Sequence, residues 1–214
     1  MVSQPCNRNA IVPVPGRLDS KLGEFWVGNP WQIVAFGHNL SAFERNRAFW
    51  NVQGEHFLEI SYLTGADHDG DSRSVVAADF RHVGQIDLVV RQAGGGPLLY
   101  YENQMPRRNF LTVSLRAQGA NRRGIGARLT ATVGGRSLVR ELYPANSFMS
   151  QAPAMVHFGL GDAPTVERLV IRWPSGKIQE LRQLSANRHI VITEGESEDA
   201  ATVQDVVPGR VIEP

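Results

Sequence analysis

Cysteine is nearly absent from this chain, since Cys6 is the single one among 214 residues. One cysteine cannot form an intramolecular disulfide, so burial of apolar side chains must hold the fold in any redox compartment. Long apolar runs are absent too: none approaches the ~20 residues that a membrane-spanning helix needs. The N-terminus lacks a basic stretch followed by an apolar segment. We therefore predict no membrane span and no signal peptide in this sequence.

Net charge is almost absent as well, with a formal value of +1 at pH 7. So small a charge gives no strong overall field for a polyanion, and no nucleic-acid-binding module is recognisable, so nucleic acid is not a predicted partner. The charges are unevenly placed, however, because the stretch Arg107–Arg140 contains eight arginines and no acid. The run Glu194–Asp199 is acidic, and we interpret residues 196–214 as a disordered, solvated acidic tail.

Long segments in which apolar residues repeat with helical spacing are also missing. The chain has 21 glycines and 12 prolines between many short apolar runs, and both residues oppose helix interiors. After residue 105, seven runs alternate apolar and polar residues between Gly or Pro turns, which is typical of short strands. These runs are residues 110–115, 127–133, 138–142, 155–158, 166–173, 178–181 and 189–193. The sequence therefore predicts an all-β chain in which residues 105–195 form an antiparallel β-sandwich.

The part before the sandwich is predicted to be β-rich but less regular. Residues 1–24 are interpreted as an extended N-terminal arm. Within residues 25–104, the aromatic pair in Phe49–Asn51 and the run His56–Ser61 indicate a strand, a tight turn and a returning strand. A similar pattern recurs about 52 residues later at Tyr100–Asn103 and Asn109–Ser114. This recurrence indicates an internal repeat.

Three motifs distinguish the second half: Asn121–Arg128 (NRRGIGAR), His157–Gly161 (HFGLG) and Arg172–Lys177 (RWPSGK). Each is a Gly or Pro turn beside an apolar run, and in order and spacing they resemble the domain family named ASPIC and UnbV. That family occurs in secreted cartilage acidic protein and in many bacterial proteins, usually after FG-GAP repeats of propeller type. The resemblance implies an extracellular or periplasmic location and carries over no reaction.

The segment from Ala77 to Asn103 resembles one FG-GAP blade. A closed propeller needs four or more blades, and the chain has room for roughly one and a half, so it cannot close a ring alone. We therefore predict a partial propeller-blade-like segment over residues 25–104. Its sheet edges are expected to remain unpaired within the segment. The strands would therefore either pack against the sandwich or pair with a second copy of the chain in a homo-oligomer.

Calcium is the metal that the acidic loops favour, because hard cations prefer clustered carboxylate oxygens. Acids alternate between residues 67 and 71, as at the start of an EF-hand loop. A second segment fits the FG-GAP metal loop in part, although Arg81 and Val83 stand where that loop carries further acids. The candidate ligands are Asp67, Asp69, Asp71, Asp79 and Asp87. The alternative is a pair of metal-free turns held by Asp side chains. No other cofactor is predicted.

The predicted ligand site is the loop Asn121–Arg128. Glycines free its backbone to present N–H groups inward, and arginines surround them, so phosphate, sulfate or carboxylate would fit. The candidate residues are Asn121, Arg122, Arg123, Gly124, Gly126 and Arg128. The alternative is an ordinary hairpin turn in which the glycines adopt positive φ and the arginines serve solubility.

Catalytic machinery is not recognisable in the sequence. His157 and His189 lie in strand-like runs, where a packed, hydrogen-bonded histidine is the usual outcome, and no nucleophile elbow or zinc motif accompanies them. Trp173 is expected to bury its ring beside the turn at Pro174–Gly176, and only an exposed Trp173 could stack on a sugar. We predict a noncatalytic recognition module for proteins or anionic glycans. The alternative is an enzyme or accessory factor of bacterial secondary metabolism, which requires a deep pocket lined by groups with shifted pKa.

Overall fold

The computed structural model describes residues 45–68, 70, 72–92, 97–146, 148, 150–196 and 201–206. These residues are almost all in β-strands or turns, with one short helix, which confirms the all-β prediction. No helix in the described ranges is long and apolar enough to cross a membrane. The chain divides into two compact units, one with residues up to Val75 and Val89–Tyr101, the other with Val76–Leu88 and the residues from Glu102 onward.

A β-hairpin is the first described feature. Strands β1 (Phe49–Val52) and β2 (His56–Glu59) pair antiparallel. Gln53 and Gly54 turn the chain at positive φ, and the Asn51 side chain accepts a hydrogen bond from the Gly54 N–H at 2.7 Å. The strand, turn and returning strand expected here are thus confirmed. The predicted arm at residues 1–24 lies outside the described residues.

The short helix α1 (Ser61–Thr64) follows the hairpin, and a three-stranded sheet of order β3-β4-β5 follows the helix. The strands are β3 (Ser72–Ala78), β4 (Asp87–Gln92) and β5 (Leu99–Tyr101). The second copy of the predicted repeat covers β5 and the next strand, β6 (Asn109–Arg116). These two strands lie in different sheets, so the sequence echo is not a structural repeat. The reason is that similar short alternating runs carry no information about which strand they pair with.

A β-sandwich forms the larger part of the second unit. Its first sheet has the order β11-β6-β14-β15 and its second sheet the order β13-β12-β7-β8. Two very short strands, β9 (Ala145–Asn146) and β10 (Ser150–Gln151), lie between β8 and β11 in the sequence and pair antiparallel with each other. The sandwich strands after β6 are β7 (Arg128–Val133), β8 (Arg136–Glu141), β11 (Met155–Gly161), β12 (Thr165–Arg172), β13 (Ile178–Ser185), β14 (Arg188–Thr193) and β15 (Thr202–Asp205).

The core lies between the two sheets and follows from the alternation of the strands. In β6, Leu111, Val113 and Leu115 point inward and are nearly fully buried, and Leu129 in β7 and Ile171 in β12 face them within one apolar cluster. Each such side chain contributes about 1.5–3 kcal/mol by leaving water. All seven strands predicted after residue 105 are present, and the sandwich is confirmed.

Two expectations about this half are wrong in detail. The central pair β6 and β14 is parallel, because β13, the strand before β14, lies in the other sheet and the chain therefore crosses over instead of turning in a hairpin. The acidic tail predicted from residue 196 is also not simply disordered. Residues Thr202–Asp205 form β15, which pairs antiparallel with β14 and packs Val203 against the core.

Candidate anion-binding site

Two of the three sequence motifs meet at one end of the sandwich. Gly124 has a φ of 61°, and a Cβ placed on it would lie 3.3 Å from the Leu115 Cβ and 3.5 Å from the Trp173 Cζ3. Both the left-handed backbone and the close approach favour glycine here. Trp173 is 2% exposed, as expected for a ring buried at this turn, so it cannot stack on a sugar. The third motif forms β11 in the opposite sheet.

The loop Asn121–Ala127 uses its own backbone donors. Asn121 accepts a hydrogen bond from the Ile125 N–H at 3.0 Å and donates its amide to the Ile125 carbonyl at 2.8 Å. The Gly124 N–H donates to the Asn121 carbonyl at 2.9 Å, and the Gly126 N–H donates to the Leu142 carbonyl at 2.8 Å. Because these glycine donors have acceptors in the protein, the predicted anion site depends on its arginine side chains.

The three arginines of the motif are exposed at this end: Arg122 and Arg123 in the loop, and Arg128 at the start of β7. In the part of the chain that the structure describes, none of the three forms an ion pair. Exposed guanidinium groups without a carboxylate partner keep their donors available for an external anion. The anion-binding role of these residues stays a prediction.

The outer face of the second sheet, defined as the side chains of β13, β12, β7 and β8 that point away from the core, adds a residue that sequence reasoning missed. Arg172 at the end of β12 lies directly opposite Arg128 in the β12–β7 register. In the same row, Ile178 flanks Arg172 and Glu141 flanks Arg128. The sequence contains Arg172 within a motif, but only the strand register places it beside Arg128.

A second arginine pair lies on the same face, and it has an acid. Arg168 and Arg182 are opposite each other in the β12–β13 register. The Glu180 carboxylate contacts the Nη2 of Arg168 at 2.6 Å and the Nη2 of Arg182 at 2.5 Å. Hydrogen bonding to Arg168 is the main reason that the pKa of Glu180 is lowered, and the same bond raises the pKa of Arg168.

A buried carboxylate locks the turns beneath this end of the sandwich. Glu194 is 3% exposed and accepts hydrogen bonds from the Gln118 N–H at 2.8 Å and from the Ser175 hydroxyl at 2.5 Å. The Lys177 ammonium donates to the Gly195 carbonyl at 3.1 Å, and the Gly195 N–H donates to the buried Gln179 side chain at 3.2 Å. The sequence places Glu194 at the start of the acidic run that leads into the predicted solvated tail. In the structure it instead joins the end of β14 to the RWPSGK turn, because its hydrogen-bond donors, Gln118 and Ser175, come from segments distant in sequence.

Comparison with known proteins identifies a family for this part of the chain. Residues 117–199, which contain all three motifs and the Glu194 contacts, match the family model described as ASPIC and UnbV. The chain carries an ASPIC and UnbV domain. The match does not extend to the FG-GAP-like segment, and a propeller blade there stays a prediction.

The other two comparisons add little to the ASPIC and UnbV assignment. No curated protein matches the chain. One similar solved structure is the crystal structure of a candidate cell adhesion protein from Bacteroides uniformis ATCC 8492, with 10% sequence identity and a TM-score of 0.28. The match covers 64% of this chain and 66% of that chain, just under two thirds of its length. A TM-score this low carries no argument about fold or function.

The ASPIC and UnbV domain also carries two histidines in one row across its first sheet. Thr112 in β6 lies between His157 in β11 and His189 in β14 in the strand register. The Thr112 hydroxyl is 3.1 Å from the His157 Nδ1, and the Ser114 hydroxyl is 2.8 Å from the His189 Nε2. Phe110 stacks on His157 with ring centroids 5.7 Å apart. Both histidines are packed and hydrogen-bonded, as predicted.

Burial lowers the pKa of both imidazoles. Desolvation is the main cause for His157, where the Asp79 charge opposes the shift and the Arg140 charge adds to it. Desolvation is also the main cause for His189, where the His82 charge adds to the shift and Asp79 again opposes it. A buried imidazole loses the hydration that favours its charged form. Both rings therefore favour the neutral form in the folded protein.

Domain stability is therefore expected to fall in mild acid. Between ~6.5, the unfolded pKa of histidine, and the lower folded pKa, the unfolded chain binds more protons, so stability rises with pH. The contribution is complete above about pH 6.5 and is lost as the pH falls below that value. Urea unfolding at pH 7.5 and 5.5 measures this loss as a difference between two free energies of unfolding. H157N/H189N should lose less stability between the two pH values, and equal losses in the variant and the wild type would contradict this assignment.

Asp79, one predicted calcium ligand, caps a turn. Its carboxylate accepts hydrogen bonds from the Val83 N–H at 3.0 Å and the Gly84 N–H at 2.6 Å. Gly84 has a φ of 80° and packs against the Phe110 ring, where a Cβ would come within 2.0 Å of the ring's Cδ1. The Asp79 side chain thus holds a turn, and its role as a calcium ligand stays a prediction.

Asp87, the second ligand of that predicted loop, is fully buried and bonded to Arg81. The guanidinium Nε and Nη2 donate to the two carboxylate oxygens at 3.0 and 2.9 Å. The Asn103 N–H donates to the same carboxylate at 2.9 Å, and the Arg81 Nη1 contacts Glu102 at 2.6 Å. The cation beside Asp87 in this structure is thus an arginine, and the carboxylate serves the fold.

The other predicted calcium loop is described only in part. Asp67 pairs with the Arg45 guanidinium at 2.7 Å, and Asp69 and Asp71 lie outside the described residues. The neighbouring His68 accepts a hydrogen bond from the Gly70 N–H at 2.9 Å. Within the described ranges, no group of three or more His, Cys, Asp or Glu residues is arranged to hold a metal ion. Calcium at residues 67–71 stays a prediction.

Proposed function

We propose that this chain is a noncatalytic recognition module whose ASPIC and UnbV domain binds an acidic protein or an anionic glycan. The binding groups are the side chains of Arg122, Arg123 and Arg128. One observation carries the proposal: these three arginines are exposed at one end of the sandwich and, among the described residues, have no acid partner. An extracellular or periplasmic location, proposed from the family resemblance, would give such a module access to both kinds of partner.

The energetics of exposed arginines favour several weak contacts over one strong contact. A single exposed ion pair contributes ~0–1 kcal/mol, so recognition needs several guanidinium groups acting together. The Glu194 contacts and the packing of Gly124 on Trp173 hold the loop that carries them. A fixed loop loses little conformational entropy when a partner binds. Binding of this kind is expected to weaken strongly as salt increases.

Removing two loop arginines tests the proposal. R122S/R123S is expected to weaken binding to an acidic peptide or to a heparin oligosaccharide by about tenfold, which corresponds to ~1.4 kcal/mol. The matched control is R107S/R136S, which removes the same charge from two exposed arginines near the opposite end of the sandwich. Fluorescence anisotropy at 50 and 150 mM salt provides the affinities. Equal affinities for the two double variants would overturn the proposal.

A further inference from the structure

The outer face of the second sheet contains two in-register arginine pairs, and only one of them has an internal acid. Arg168 and Arg182 share the Glu180 carboxylate. Arg128 and Arg172 are opposite each other in the same way and, within the described part of the chain, form no ion pair. We infer that Arg128 and Arg172 form a carboxylate-binding pair that takes its acid from an acidic peptide segment of a partner. This inference rests on the proposed function and names the partner class.

Arg168 and Arg182, called here the bridged pair, have a shared carboxylate, and among the described residues Arg128 and Arg172, called the free pair, do not. Like charges placed directly opposite each other on neighbouring strands destabilise a sheet. At Arg168 and Arg182 the repulsion is offset because Glu180 contacts both guanidinium groups, with Arg168 also donating its Nε at 2.7 Å. One carboxylate is therefore sufficient to bridge a pair of arginines on this face.

The position that corresponds to Glu180 is occupied by a neutral residue at the free pair. Glu180 lies opposite Val170 and two residues from Arg182. On the other side of Val170, the residue opposite it and two residues from Arg128 is Thr130. Side chains two residues apart on a strand share a face, so Thr130 stands on the outer face beside both arginines. It has no charge with which to bridge them.

Glu141 is the acid closest to the free pair in the register, and it does not replace the bridge. It lies opposite Arg128 on β8, on the side away from Arg172, and forms no ion pair with Arg128 among the described residues. The far side of Arg172 is flanked by Ile178, which is apolar. The free pair thus keeps two guanidinium groups open toward solvent, next to the loop that carries Arg122 and Arg123.

A peptide segment with spaced carboxylates fits this arrangement better than a sulfated glycan does. The bridging group observed on this face is a carboxylate on a short side chain, held by two guanidinium groups. Glutamate and aspartate side chains of an extended peptide alternate in direction, so every second residue can reach the arginines. A first carboxylate would bridge Arg128 and Arg172, and further ones would reach Arg122 and Arg123.

Supplying the missing acid within the chain is the sharpest test. T130E places a carboxylate beside Arg128 and Arg172, and T130Q is the matched control of equal size and shape. T130E is expected to melt about 1–3 °C higher than T130Q, because the new carboxylate relieves the repulsion. It should also bind a dye-labelled octapeptide of alternating Glu and Gly about tenfold more weakly than T130Q does. If T130E binds this peptide as tightly as T130Q, the inference is wrong.

Removing Arg172 separates this inference from the proposed function. R172S is expected to weaken binding of the Glu peptide about fivefold and to leave the weak binding of the matching Gln peptide unchanged, while R136S has less than a twofold effect. A loss with R122S/R123S but none with R172S would sink the inference and keep the proposed function. No loss with any of these variants would sink both. A loss with R172S that occurs for a heparin octasaccharide and not for the Glu peptide would replace the peptide with a glycan as partner.

Discussion

Replacing Trp173 with alanine is expected to lower the free energy of unfolding by about 3–5 kcal/mol. Trp173 is the largest of the fully buried side chains, and it packs where Gly124 of the NRRGIGAR motif approaches the core. The deletion would leave a cavity between two turns that cannot both move in, since the Gly124 loop and the RWPSGK turn are fixed by their own backbone hydrogen bonds. Urea unfolding measures the change in the free energy of unfolding. Far-UV circular dichroism should be the signal, because tryptophan fluorescence would itself change with the substitution.

W173F is the control for that experiment. The Trp173 Nε1 is buried and has no hydrogen-bond partner among the residues that the structure describes. Phenylalanine therefore removes ring volume without breaking a bond and relieves a desolvated donor. W173F should therefore cost less than half as much as W173A. Similar losses for both variants would mean that the indole N–H, and not the volume of the ring, stabilises this end of the sandwich.

Breaking the pair between Arg81 and Asp87 is expected to have an effect of similar size. R81M removes the guanidinium that donates to both oxygens of a fully buried carboxylate. An uncompensated buried charge costs about 3–5 kcal/mol. Thermal and urea unfolding at pH 7.5 provide the measurement, and the loss should exceed that of R108M, whose partner Asp162 is exposed.

The double variant R81M/D87L tests the cause. It removes both charges and replaces them with apolar side chains of comparable volume, which is often close to neutral in a buried position. It should recover a large part of the stability that R81M loses. If the double variant is as unstable as R81M, packing around Arg81, and not the charge of Asp87, explains the loss.

Local sequence signals predicted the strands of the sandwich well. Alternation with a period of two and turns at Gly or Pro act within a few residues, and all seven predicted strands exist with small differences at their ends. The sequence also showed that Arg81 places a positive charge where an FG-GAP loop carries an acid. The structure gives that arginine a role, since it is the partner of Asp87.

The sequence did not predict which residues distant in the chain would meet in the fold. Glu194 looks like the first residue of an acidic run, and nothing near it indicates that Gln118 and Ser175 will enclose it. Arg172 lies 44 positions from Arg128 along the chain, and only the β12–β7 register brings them together. Register depends on which strands meet and in which direction, and one strand's alternation is compatible with many partners.

The parallel pair β6 and β14 has a consequence for how the domain is made. Asn187 and Phe110, which flank this pair, are 77 positions apart and joined by hydrogen bonds. During synthesis the sheet's middle strand must therefore wait for nearly the last strand before its edge is covered. Closing so long a loop late makes folding slow and leaves an aggregation-prone intermediate, so this domain should assemble only after β14 has been synthesised and should benefit from chaperones until then.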